Sequence, residues 1–139
     1  MKTILVGLLF LCLAGCAHSQ MGSRYMNEFN DAVSKNKNTS MFSSRPFETV
    51  KDDLLLRLKV MGYEKALYAD PEQGFVVVGK QGSLMASVLA GDPNAEVILV
   101  KFTNSHNDKV RIDLVNDSGN TLAKKSASED IAALTGSFN

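Results

Sequence analysis

The chain has 139 residues, with 15 basic and 15 acidic side chains, a formal net charge of zero and 45% apolar residues. That is the length of one domain and the composition of an ordinary globular protein rather than of a disordered chain. The charge balance leaves no basic excess for a phosphate backbone, so nucleic acid is not expected as a partner. No run reaches the ~20 apolar residues that span a bilayer.

Met1 and Lys2 open the chain with positive charge, and Ile4 to Leu13 follow as ten residues without a charge. Ten is about the length of a signal-peptide core and too short for a membrane span. Leu13-Ala14-Gly15-Cys16 comes next. These residues resemble the lipobox of bacterial lipoproteins, Leu-(Ala/Ser)-(Gly/Ala)-Cys, at all four positions. The resemblance implies that signal peptidase II cuts between Gly15 and Cys16 and that the Cys16 thiol carries a diacylglycerol thioether. In diderm hosts the new amine is usually acylated too. Each buried CH₂ contributes about 0.8 kcal/mol and a single chain holds only marginally, so two or three chains make the anchor firm. Ala17, where an Asp would mark another destination, resembles the pattern sorted to the outer membrane of enteric-type bacteria. In a host with one membrane the address becomes the cell membrane. The competing readings of Cys16 are the end of an ordinary secretory signal or of a buried helix.

The cysteine count fits the lipoprotein reading. Cys12 leaves with the signal peptide and Cys16 is capped by lipid, so the mature chain has no thiol for catalysis, zinc or a disulfide. No cofactor is expected beyond the covalent lipid on Cys16.

Residues 1–15 are thus read as signal peptide, 16–44 as lipid anchor and polar tether, and 45–139 as a single domain. The stretch Ala17 to Ser44 holds four Asn and six Ser, and as a flexible coil it reaches roughly 30 Å. Within it Met26, Phe29 and Val33 fall at helical spacing beside Tyr25, which reads as a docking helix for a partner, as a short helix folded onto the domain, or as no helix at all. A clear helix follows over 46–61. Pro46 suits its first turn, Phe47, Val50, Leu54, Leu58 and Met61 make one apolar stripe, and Gly62 stops it.

A hairpin comes next, with strands at Tyr63 to Tyr68 and Phe75 to Gly79 around an Asp70-Pro71-Glu72-Gln73-Gly74 turn. The run Val76-Val77-Val78 predicts burial on both faces. Gln81 to Asn94 is ambiguous between a short helix and more strand. Its uncharged part, with Leu84, Met85, Val88 and Leu89, is either core or, if exposed, a contact surface for lipid or protein. A third strand covers Glu96 to Thr103 and a fourth Lys109 to Asn116. In the fourth, Val110, Ile112 and Leu114 alternate with Lys109, Arg111 and Asp113, which predicts one wet face. The sequence leaves room for a short fifth strand near 121–124, and Ser126 with Glu129 reads as a capping box that opens a last helix of about 127–135, ended by Gly136. The fold class is α+β, an antiparallel sheet of about four strands with two helices packed on one face.

The residues carry little recognisable chemistry. His18 and His106 lack partners at metal-ligand spacing. Asn116, Ser118 and Asn120 alternate as in a calcium loop, but turn chemistry explains them and the rest of that motif is missing. No phosphate loop or nucleophile elbow is present. Three readings of function remain. The first is a lipid-anchored, non-enzymatic binding or assembly module at the periplasmic face of the outer membrane. Its partner would be an envelope protein, met on Leu84, Met85, Val88 and Leu89 or on Lys109, Arg111 and Asp113. The second is a carrier of a small amphiphile in a cavity lined by Phe47, Leu54, Leu58, Val77 and Leu99. The third is an enzyme that gathers Asp70, Glu72 and His106.

Overall fold

The computed structural model describes residues 20–80 and 95–138. In chain order they form helix α1 (20–34), strand β1 (Asn38–Ser43), helix α2 (Phe47–Val60), strands β2 (Lys65–Asp70), β3 (Phe75–Gly79), β4 (Val97–Ser105) and β5 (Lys109–Asn116), and helix α3 (Thr121–Ser137). The five strands make one antiparallel sheet in the order β1-β5-β4-β3-β2.

The sheet separates two apolar cores, and the period-2 alternation of its strands decides which residue enters which. Val76 and Val78 of β3, Ile98, Val100 and Phe102 of β4, and Val110, Ile112 and Leu114 of β5 face α2 and α3. Val50, Leu54 and Leu58 of α2 and Ile131 and Leu134 of α3 close that core. Phe75 and Val77 of β3, Val97 and Leu99 of β4, and Val115 of β5 face the other way, towards α1. Phe29 and Ala32 are the buried residues of α1 there, flanked by Tyr25, Met26 and Val33. The Phe29 and Phe75 rings meet edge to face with centroids 5.6 Å apart, a favoured geometry for aromatic pairs.

The α+β class and the antiparallel sheet agree with the sequence reading, and β3 and β5 have the bounds read for them. The valine run of β3 is buried at every position, as an inner strand packed on both faces must be. Three features differ. The segment read mainly as tether contains α1 and β1, because the Tyr25-Met26-Phe29-Val33 stripe has an apolar sheet face to cover and Met41 belongs to the other core. The helices therefore lie on both faces of the sheet, and the domain begins before residue 45. Residues 121–124 are the first turn of α3 and not a strand. The Asn120 side chain caps that turn by accepting from the Ala123 N–H at 2.8 Å, which outcompetes the later Ser126–Glu129 box. Gly136 lies inside this helix, and the buried Phe138 ends it.

Near the start of α1, Gly22 packs so closely on Tyr68 of β2 that a Cβ there would collide with the Tyr68 hydroxyl. Tyr25 lies 6.4 Å from the same ring. At the far end of the helix the chain reverses through Asn36, at φ 54°, straight into β1. Helix α1 thus crosses the sheet from one edge strand to the other.

Candidate functional site

Of the residues singled out from the sequence, Gly15, Cys16, Leu84, Met85, Val88 and Leu89 lie outside the described residues. Lys109, Arg111 and Asp113 are on one face of β5, as the alternation required, but that face is not uniformly wet. Asp113 is buried. It accepts hydrogen bonds from Asn38 Nδ2 (2.9 Å), Ser40 Oγ (2.5 Å) and Arg111 Nη2 (3.0 Å). Arg111 Nε sits 2.8 Å from the other carboxylate oxygen, as an ion pair without hydrogen-bond alignment. Asp113 is thereby fully occupied in tying β1 to β5. Lys109 stands apart at the exposed start of β5.

This tie presents a surface that sequence reasoning missed. Phe42 pairs with Arg111 across the β1–β5 ladder and is 57% exposed. Beside it, a groove of about 320 Å³ runs between β1 and the end of α3, lined by Ser40, Met41, Phe42, Thr135 and Phe138. Among the described residues β1 has a strand neighbour on one side only, so alternate N–H and C=O groups of this strand point outward beside the groove. The floor is rigid. Phe138 is buried, Arg45 and Arg57 lie over its ring at 5.3 and 5.4 Å, and both guanidinium groups bond Asp53. Hydrogen bonds from Arg45 and Arg57 hold the Asp53 carboxyl below its usual pKa. The only hint in the sequence was a phenylalanine in a polar stretch.

A second cluster joins Tyr63, Lys80, Glu96 and Asp130. Lys80 Nζ lies 2.8 Å from Glu96 and 2.9 Å from Asp130, and the Tyr63 hydroxyl donates to Asp130 at 2.9 Å. Burial, reinforced by the Asp130 hydrogen bond, raises the Tyr63 pKa far above that of a free phenol. Burial opposes the charge on Lys80, but its bonds to Glu96 and Asp130 outweigh that and raise its pKa. Both groups are held protonated, which suits a latch between β3, β4 and α3 rather than a nucleophile or base.

The other sequence constellations come apart. Leu54 and Leu58 fill one core while Val77 and Leu99 fill the other, each at most 1% exposed, so they line no common cavity. Phe75 pairs with Lys101, and β4 continues four residues beyond, to Ser105. That is about 14 Å of strand, which carries His106 away from the turn holding Asp70 and Glu72. Asn116, Ser118 and Asn120 spend their side chains on turn and cap bonds, with Asn116 donating to the Lys124 carbonyl at 2.7 Å. Among the described residues no group of three His, Cys, Asp or Glu could hold a metal ion, and no helix is long and apolar enough to cross a membrane.

Asp117 offers a test of electrostatics at the end of the sheet. Burial, with the Glu28 charge, raises its pKa. The folded state then holds this proton more tightly than the unfolded chain, so stability falls as pH rises from the unfolded carboxyl value, about 3.9, through the folded one. Asp117→Asn is expected to raise the thermal midpoint at pH 7, with the gain shrinking as pH falls towards 4 in a calorimetric series.

No known protein family matches the chain, and no curated protein matches it significantly.

Proposed function

We propose that this protein is a lipid-anchored envelope protein, held through Cys16 at the periplasmic face of the outer membrane, that acts as a non-enzymatic binding or assembly module. The partner is an extended segment of another envelope protein, which lies along β1. The observation that carries this reading is the exposed Phe42 on a sheet edge beside a groove floored by the buried Phe138. Main-chain groups of β1 give an extended peptide its affinity, and alternate side-chain sites give selectivity, here the groove on one side and Phe42 with Arg111 on the other. The lipobox supplies the address.

The reading is tested with a photo-crosslinking amino acid at Phe42 and, as a comparison, at Val60, which is 81% exposed on α2 beside an apolar groove with Met61 and Ala133. Crosslinking in native membranes followed by mass spectrometry should recover one defined envelope protein from position 42 and not from position 60. Arg111→Glu should lower that yield severalfold. A defined product from position 60 alone would move the docking surface to α2 and α3. Recovery of lipid or a small amphiphile without protein would favour the carrier reading.

A further inference from the structure

We infer that the β2 edge of the sheet, where α1 begins, rests against the lipid leaflet that holds the acyl anchor, and that β1 is the edge held away from it. This rests on the lipid anchor proposed above. Three residues separate Cys16 from Gln20, the first described residue of α1. At ~3.3–3.6 Å per residue, the span from Cys16 to Gln20 is about 14 Å at full extension, whatever its conformation. The domain therefore cannot drift off the membrane on a long leash, as a 28-residue coil would have allowed.

The start of α1 is not free to swing either. Gly22 is in close contact with Tyr68, Tyr25 lies beside the same ring, and Phe29 is locked against Phe75. The anchor accordingly leaves the domain next to β2, with Met21 partly exposed at the exit. Strand β2 is one edge of the sheet and β1 the other. Four strand spacings of ~4.8 Å put about 19 Å between them. Since the anchor fixes one edge at the leaflet, the groove along β1 faces the aqueous side, where an extended segment of a partner can reach it. The chemistry of the surface at β2 agrees with a headgroup layer better than with a hydrocarbon one. Ala66 and Ala69 are exposed there, and Glu64 precedes them. The contact is therefore peripheral, with Met21, 39% exposed, as the apolar side chain at the exit.

The test uses the full lipidated protein in vesicles of phosphatidylethanolamine and phosphatidylglycerol. The mature chain has no thiol besides Cys16, so single cysteines at Ala66→Cys on β2 and Phe42→Cys on β1 can be labelled with a fluorophore. A quencher on the lipid headgroups then reads proximity. Quenching should be severalfold stronger at position 66 than at position 42, and a ten-residue Gly-Ser insertion after Ala17 should abolish the difference. Equal quenching, or stronger quenching at position 42, in a protein whose Cys16 carries acyl chains by intact mass would overturn the orientation alone. Absence of acyl chains on Cys16 would overturn both the orientation and the anchor it rests on.

Discussion

Phe29→Ala is expected to lower the unfolding free energy by about 3–5 kcal/mol, the usual cost of emptying a buried phenylalanine site. Phe29 is 4% exposed, sits edge to face on Phe75 and lies under the Lys101 ammonium, which is 5.9 Å from its ring centre. Its loss would also loosen α1, because Phe29 and Ala32 are the buried contacts of that helix in its core. A chain starting at residue 45 should do worse. It lacks α1, uncovers Val77, Leu99 and Val115, removes Met41 from the other core and leaves Asp113 without Asn38 and Ser40. Marginal domains do not survive a loss of that size, so this fragment should show no cooperative unfolding, whereas a chain starting at residue 20 should. Denaturant titration of the two fragments and of the point variant distinguishes these outcomes. A cooperative transition of unchanged midpoint in the shorter fragment would remove α1 and β1 from the domain.

Lys80→Met is the second large expected effect. It removes the cation that bridges Glu96 and Asp130 and leaves two carboxylates facing each other beside a buried phenol. Stripping one partner from a fully buried ion pair costs about 3–5 kcal/mol. Here Lys80 is 29% exposed and its partners 17% and 25%, so solvent screening brings the expected loss nearer ~2 kcal/mol. A double-mutant cycle with Asp130→Asn should give less than the sum of the single losses, since the second change removes part of the repulsion created by the first. The pH dependence has a definite sign. Lys80 has a raised folded pKa, so its contribution is complete below the unfolded lysine value, about 10.4, and is lost as pH rises through the folded one. Tyr63, also raised, loses its contribution above the free phenol value of about 10. The wild type should therefore lose stability on the alkaline side above about pH 10, and Lys80→Met should lack the lysine part of that decline. Equal alkaline profiles for the two proteins would mean that the bridge contributes no stability.

What could be read from the chain depends on how far each signal reaches along it. Alternation in β5 and the valine run of β3 are local patterns imposed by the sheet they enter, and both were legible to the residue. Helix α2 was legible for the same reason, its stripe being complete within the segment. The stripe of α1 was visible too, but its partner face is assembled from β3, β4 and β5, far along the chain, so local polarity argued for a tether. Asn120 as the cap of α3 was hidden by a stronger-looking capping box six residues later. The β1 groove had no local signal. It needs β1 at the sheet edge and Thr135 and Phe138 from the end of the last helix, more than 90 residues along the chain. Lys109, Arg111 and Asp113 were correctly placed on one face, but only the fold shows Asp113 consumed by its neighbours.

The proposed membrane anchor rests on Cys16, and one measurement tests it most directly. The protein is extracted from native membranes and weighed intact beside Cys16→Ser. Loss of residues 1–15 together with the mass of two or three acyl chains on the new N-terminus is the predicted result, with the variant unacylated and still carrying residues 1–15. An unmodified Cys16 in the wild type, or a variant that stays acylated and membrane-bound, would contradict the account.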